Sequence, residues 1–416
     1  MKRGRKKMKS SSSPNSNKHS ESKYLPPEVW TQILLSLPAK TLLRFRCVCK
    51  SWCSIIDNPD FIRIHFRTSQ FPNSRNNNKL LVALEPHLGR RVNEGSCLLT
   101  IRDAETLEET DRVFSKSDSY RYFIIGSCNG LLLVKQRGHP MHTELRLWNP
   151  CIRKSLVIPA RLVCPHLEET WFDHGYSLFG FALDTQDYKV VKFTYGRRPE
   201  ERFGKMYVSV YTLSNQRWTN RIDPVNVSFL PTYNWYGLFF WLSTAVYFQG
   251  AAYWLGRNDK QSSGLLTHLG SFDFDNENIT FSELQFSLDE TDSFRFLFLL
   301  GESLAIFSIS KATSSIWVLE QDNRKGPWTL WFSGESSCDG YNLFNEFNRY
   351  DGVTKRIFYC ERDGGYFVYG KKAYNIVSCQ VHELNNSMRS PVKLEEYSES
   401  LVLSKGYKAR DLRNYP

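Results

Sequence analysis

The chain has 416 residues, 41% hydrophobic and 23% charged, enough apolar mass for one large core or two ordinary ones. Aromatic residues make up 14%, and their flat side chains suit pleated surfaces, so the composition leans towards β structure. The formal net charge of +11 owes much to Lys2, Arg3, Arg5, Lys6, Lys7 and Lys9. The rest of the chain is only mildly basic, so nucleic-acid binding by the folded body is not expected.

Residues 1–22 are basic and then rich in Ser and Asn, a composition that cannot bury apolar area, and a disordered tail is expected there. Its basic cluster reads as a nuclear import signal, placing the protein in nucleus and cytoplasm with the nucleus favoured. The polar start carries no secretory apolar segment. The ten cysteines are therefore expected as free, reduced thiols, and the sequons at Asn226, Asn278 and Asn385 are expected to be unused.

Residues 23–66 change character. Leu25-Pro26-Pro27-Glu28 reads as a helix start, because proline is tolerated in a first turn and an acid there favours the helix dipole. Val29, Ile33, Leu34 and Leu37 fall on one face, and Pro38 stops the helix. Ala39 to Arg46 gives a second helix with Leu42, Leu43 and Phe45. Val48, Trp52, Ile55 and Ile56 mark a third, and Asp60 is expected to cap a last turn through Phe66. Three short helices cannot bury all this apolar surface among themselves, so the pattern itself implies a partner.

Residues 67–79 read as a linker, residues 80–405 as an all-β domain and residues 406–416 as a C-terminal tail. In the β region the hydrophobic period is two, with Gly- and Asx-rich turns between apolar runs. A loose repeat recurs at Leu145–Arg153, Val210–Trp218, Ser271–Ile279 and Ile316–Arg324, roughly 45–65 residues apart, the range of a four-stranded propeller blade. A propeller is expected, with a β-sandwich pair as the competing architecture. Trp235 to Gly256 holds no charge. Its Ser, Thr, Gln and internal Gly residues argue for two strands joined near Thr244–Ala245 rather than a membrane span.

Candidate chemistry is sparse. Cys47, Cys49 and Cys53 lack zinc-site spacing and read as buried small hydrophobes; His139 and His142 read as a solvated loop. No nucleophile elbow, metalloprotease, P-loop or dinucleotide motif is present, so no catalytic residue, metal or cofactor is assigned. Trp171, Tyr233, Trp235 and Tyr236 lie in loop-like segments and are candidates for a recognition face, with blade core as the alternative for each.

Two sets of residues carry a family resemblance. Leu25-Pro26-Pro27-Glu28-Val29, Ile33-Leu34, Leu37-Pro38-Ala39-Lys40, Leu43, and Phe45-Arg46-Cys47-Val48-Cys49-Lys50-Ser51-Trp52 resemble the F-box. Gly126–Leu132, Leu147–Pro150, Phe179–Asp184, Asp187–Val191, Gly250–Leu255 and Ser271–Phe274 resemble the plant F-box-associated, kelch-like domain. The resemblance implies an α+β multidomain chain: a small all-α F-box of three short helices, then an all-β propeller-like domain. It also implies a non-catalytic subunit of a Skp–cullin–F-box ubiquitin ligase. A Skp-type adaptor would dock on Leu25, Pro26, Val29, Ile33, Leu34, Leu37, Pro38, Leu43, Val48 and Trp52, a cullin would bind through it, and the β domain would hold a target protein. The division of these residues between core and interface stays open. The competing functions are a nuclear interaction scaffold that uses the adaptor without ubiquitination, and a ligand-binding propeller or enzyme.

Overall fold

The structure, a computed structural model, describes residues 25–69, 80–86, 97–103, 109–116, 121–137, 143–159, 170–172, 177–197, 205–225, 245–256, 268–284, 294–309, 313–320, 327–335, 346–351, 356–363, 366–375, 380–383, 393–403 and 410–411. The basic cluster from Lys2 to Lys9, the histidines 139 and 142, and Tyr233, Trp235 and Tyr236 lie outside these residues.

Four helices come first: α1 (Pro27–Leu35), α2 (Ala39–Phe45), α3 (Lys50–Ile56) and α4 (Pro59–Ser69). The segment expected to be a last turn is the longest helix of the module, and it takes in three residues expected to be linker. Its start is set by Asn58, whose Oδ1 accepts from the Asp60 amide at 2.8 Å; Asp60 sits inside the first turn and pairs with Arg63 instead. Val48 precedes α3 rather than lying on it.

Among the described residues the strands form six antiparallel sheets. The first joins β1 (Leu80–Pro86), β2 (Cys97–Asp103) and β3 (Glu109–Lys116) to β25 (Lys393–Tyr397), which pairs with the free edge of β1. The second runs β4 (Arg121–Cys128), β5 (Leu131–Arg137), β6 (Thr143–Asn149), β7 (Lys154–Ile158), with β26 (Arg410–Asp411) added outside β7. The segment expected as a C-terminal tail thus supplies a strand. In the third, β8 (Thr170–Phe172) and β9 (Ser177–Ala182) pair with successive parts of β10 (Asp187–Arg197), followed by β11 (Lys205–Thr212) and β12 (Arg217–Val225). The fourth holds β13 (Val246–Phe248), β14 (Ala251–Gly256), β15 (His268–Asp273) and β16 (Ile279–Glu283). The fifth holds β17 (Phe294–Leu300), β18 (Ser303–Ile309), β19 (Thr313–Leu319) and β20 (Trp328–Glu335). The sixth holds β21 (Glu346–Asp351), β22 (Arg356–Asp363), β23 (Tyr366–Asn375) and β24 (Gln380–Glu383).

The sheets close on themselves. β4 touches β9, β9 touches β14, β14 touches β17, β17 touches β21, β21 touches β25, and β25 returns to β4. This circular contact makes the domain a propeller, with its first blade built from both ends of the β region. Each repeat noticed in the sequence coincides with the third-to-fourth-strand hairpin of a blade: β6–β7, β11–β12, β15–β16 and β19–β20. Its chemistry is local. Arg153, Gln216 and Glu277 occupy the same left-handed turn position, with φ of 53°, 53° and 56°.

The uncharged run ending at Gly256 has a tertiary cause. Every residue of β14 is buried, because neighbouring blades cover both of its faces. Its hairpin with β13 turns at Gln249-Gly250, and the expected join near Thr244–Ala245 falls at the edge of residues 226–244, which lie outside those described. Trp254 is fully buried and meets Phe193 and Phe281 edge-on, with 6.0 Å between ring centres in each case. Beside it Gly270 leaves room for the indole: a Cβ there would collide with Trp254. The next contact between the same two blades is polar. Asp275 accepts from the amides of Leu183 (3.0 Å) and Asp184 (2.9 Å), and Lys189 Nζ donates to the Phe274 carbonyl (2.7 Å) and Glu277 (2.8 Å).

The two ends of the domain are fastened by similar means. Asn149 Nδ2 donates to the carbonyls of Ser400 (3.0 Å) and Val402 (2.8 Å), and the Tyr397 hydroxyl accepts from the Cys151 amide at 2.8 Å. Gly130, at φ 77°, lies so close to Ser398 and Ser400 that a Cβ would sit 2.5 Å from each. These bonds give a physical role to the Gly126–Leu132 and Leu147–Pro150 motifs: they hold the returning chain against the second blade.

Among the described residues no helix is long and apolar enough to cross a membrane, and no group of His, Cys, Asp and Glu is placed to hold a metal ion.

Candidate docking site on the helical module

Prolines organise the first two helices. The Pro26 carbonyl accepts from the amides of Val29 (3.0 Å) and Trp30 (3.2 Å), while Pro27 fills the first helical position, where no donor is needed. Pro38 ends the α1 segment and starts α2, its carbonyl accepting from Thr41 (2.9 Å) and Leu42 (3.1 Å). α3 is capped by Cys49, whose sulfur accepts from the Trp52 amide at 3.5 Å.

The module is held together by three contacts. Trp52 stacks obliquely between Trp30 and Phe45, with ring centres 5.2 Å from each. Arg46 forms a two-pronged pair with Asp57: Nε lies 2.7 Å from Oδ1, and Nη2 donates to Oδ2 at 2.8 Å. That hydrogen bonding raises the Arg46 pKa above its usual value. His65 is buried against Phe61, and its Nε2 bonds the Leu37 carbonyl at 2.8 Å, which requires the proton on Nε2. Burial lowers its pKa below the ordinary 6.5.

The structure divides the residues that the sequence left mixed. Leu34 is fully buried in the core and unavailable to a partner, a correction to its place among the docking candidates. Leu37, Pro38, Leu43 and Trp52 are half-buried. Leu25, Pro26, Val29, Ile33 and Val48 are exposed, Val48 at 61%. Val29 and Ile33, four residues apart, lie one above the other on a single face of α1, and Leu25 stands just before the helix. Ile64 of α4, which the sequence analysis passed over, is exposed as well; its signal was the helical spacing within a segment read as a mere turn. Cys47 and Cys49 are also exposed rather than buried, because one follows α2 and the other caps α3. So many exposed branched side chains on four short helices form an unspent apolar surface.

On the propeller the recognition candidates fare differently. Trp171 lies in strand β8, opposite Gly196, rather than in a loop. Among the described residues, the exposed large apolar ones there are Leu183 in the β9–β10 turn and Leu330 and Trp331 on β20, the outer strand of its blade.

Residues 24–64 match the F-box domain, and residues 91–403 match the F-box associated beta propeller domain. The chain belongs to the F-box-associated β-propeller family. A probable F-box protein of Arabidopsis thaliana is 25% identical over 303 residues, 71% of this chain and 64% of the relative. An F-box/kelch-repeat protein of the same plant is 29% identical over 202 residues, 47% of this chain and 50% of the relative. The chain thus aligns with about half to two thirds of the length of these two relatives. Another Arabidopsis F-box protein is 26% identical over 82% of this chain and 84% of its own length. Among solved structures, TolB from Acinetobacter baumannii aligns with 82% of this chain and 69% of its own at 11% identity and a TM-score of 0.43.

Proposed function

We propose that this F-box protein is the substrate-recognition subunit of a Skp–cullin–F-box ubiquitin ligase. The observation that carries the reading is the exposed apolar face of Leu25, Val29, Ile33 and Val48 on a module that matches the F-box domain. A Skp-type adaptor covers that face and links it to a cullin, while the propeller holds the target protein. The subunit does no bond chemistry; it raises the effective concentration of a target lysine near activated ubiquitin. The basic cluster from Lys2 to Lys9 directs the protein to the nucleus, and neutralising Arg3, Arg5, Lys6 and Lys7 together disperses it into the cytoplasm.

The decisive measurement is capture of a purified Skp-type adaptor by the full chain. Val29→Asp with Ile33→Asp abolishes capture with only a small drop in the melting temperature, since both side chains are exposed. An adaptor that ignores the wild-type chain, or binds the double variant equally well, refutes the reading.

A further inference from the structure

The helical module and the propeller share one hydrophobic core. Leu34, Ala39, Leu42, Ile56 and Phe61 belong to the same buried cluster as Ile101 of β2, Val134 of β5 and Tyr397 of β25. At its edge stands a cluster of charges drawn from four distant segments. Lys40 of α2 donates to Asp111 Oδ2 of β3 at 3.0 Å and lies 3.2 Å from Glu399 Oε1, two residues past β25. The other oxygen of Asp111 lies 3.5 Å from Arg153, in the β6–β7 turn. The acids are about three quarters shielded from solvent, so these pairs are stronger than open surface pairs. Glu399 in turn sits in the segment that Asn149 and the Tyr397 hydroxyl clamp to the second blade.

We infer that Lys40, Asp111 and Glu399 form a latch that fixes the F-box against the propeller where its first and last strands meet. The docking face and the propeller then move as one body. Lys40 stands inside the F-box motif, yet it is a positioning residue that faces the propeller rather than the adaptor. That last point rests on the ligase reading; the latch itself rests on the contacts alone. For a ligase the consequence is a fixed direction from adaptor to cargo, so that lysines in one zone of the target are presented and others are not.

The experiment is amide hydrogen exchange on the full chain, with adaptor affinity measured in parallel. Lys40→Met keeps the stem and removes the charge. It speeds exchange about fivefold in both residues 39–45 and residues 109–116 and leaves adaptor affinity unchanged, whereas Lys40→Arg restores protection. Unchanged exchange in Lys40→Met overturns the latch. So does a loss of adaptor affinity with exchange intact, which would make Lys40 a docking contact. Failure of the wild-type chain to bind an adaptor refutes the proposed function while the exchange result still decides the latch.

Discussion

The two modules solve opposite problems with the same kind of side chain. In the propeller, Trp254, Phe272 and Phe274 disappear between neighbouring blades, and each sheet is covered by the next until the ring closes. The F-box has too few residues for that. It buries Leu34, Leu42 and Ile56 in a core continuous with that of the propeller and leaves Val29, Ile33 and Val48 exposed. Apolar surface is spent on stability in one region and reserved for association in the other.

The comparison breaks first where it predicts most. Trp254→Ala removes a fully buried indole and should cost about 3–5 kcal/mol in denaturant unfolding; a loss below about 1 kcal/mol would mean that the blades do not pack as described. Leu34 and Val29 test the same distinction within one helix. Leu34→Ala should cost about 2–5 kcal/mol, while Val29→Ala should change stability by about 0.5 kcal/mol or less and act on docking instead. Equal stability losses would erase the division between core and face.

Asn149→Ala strips the bonds to Ser400 and Val402 from a buried site. About 1–3 kcal/mol of stability should go, with the fastest new exchange in residues 397–403. Exchange confined to residues 143–159 would contradict the clamp. The smallest effect concerns acid. Burial holds the folded-state pKa of His65 below the ordinary 6.5, so the stability that its neutral, buried ring contributes is complete above that value. It is lost as pH falls below it, when the buried ring must take up charge; the Nε2–H bond to Leu37 survives protonation. His65→Gln keeps a donor for the carbonyl without titrating. Its F-box should therefore lose less stability than the wild type as pH falls below 6.5. Identical pH profiles would remove His65 as the cause.

Truncation is a poor substitute for these variants. Deleting residues 25–66 would uncover Ile101, Val134 and Tyr397, which share the F-box core, so lost binding could not be separated from damage to the propeller.

What the sequence determined by itself was local. Pro26, Pro27 and Pro38 place helix ends through their own geometry, and the left-handed turns at Arg153, Gln216 and Glu277 repeat because a hairpin is decided within a few residues. The tertiary structure decided what depends on distant segments meeting. Leu34 and Val29 look alike in sequence, and only packing against neighbouring helices and the propeller made one core and the other surface. Lys40 meets Asp111 across 71 residues, and Asn149 meets Ser400 across 251. No local pattern encodes such pairs, because Lys40 reaches Asp111 only once the helices pack on the first sheet, and Asn149 reaches Ser400 only once the ring closes.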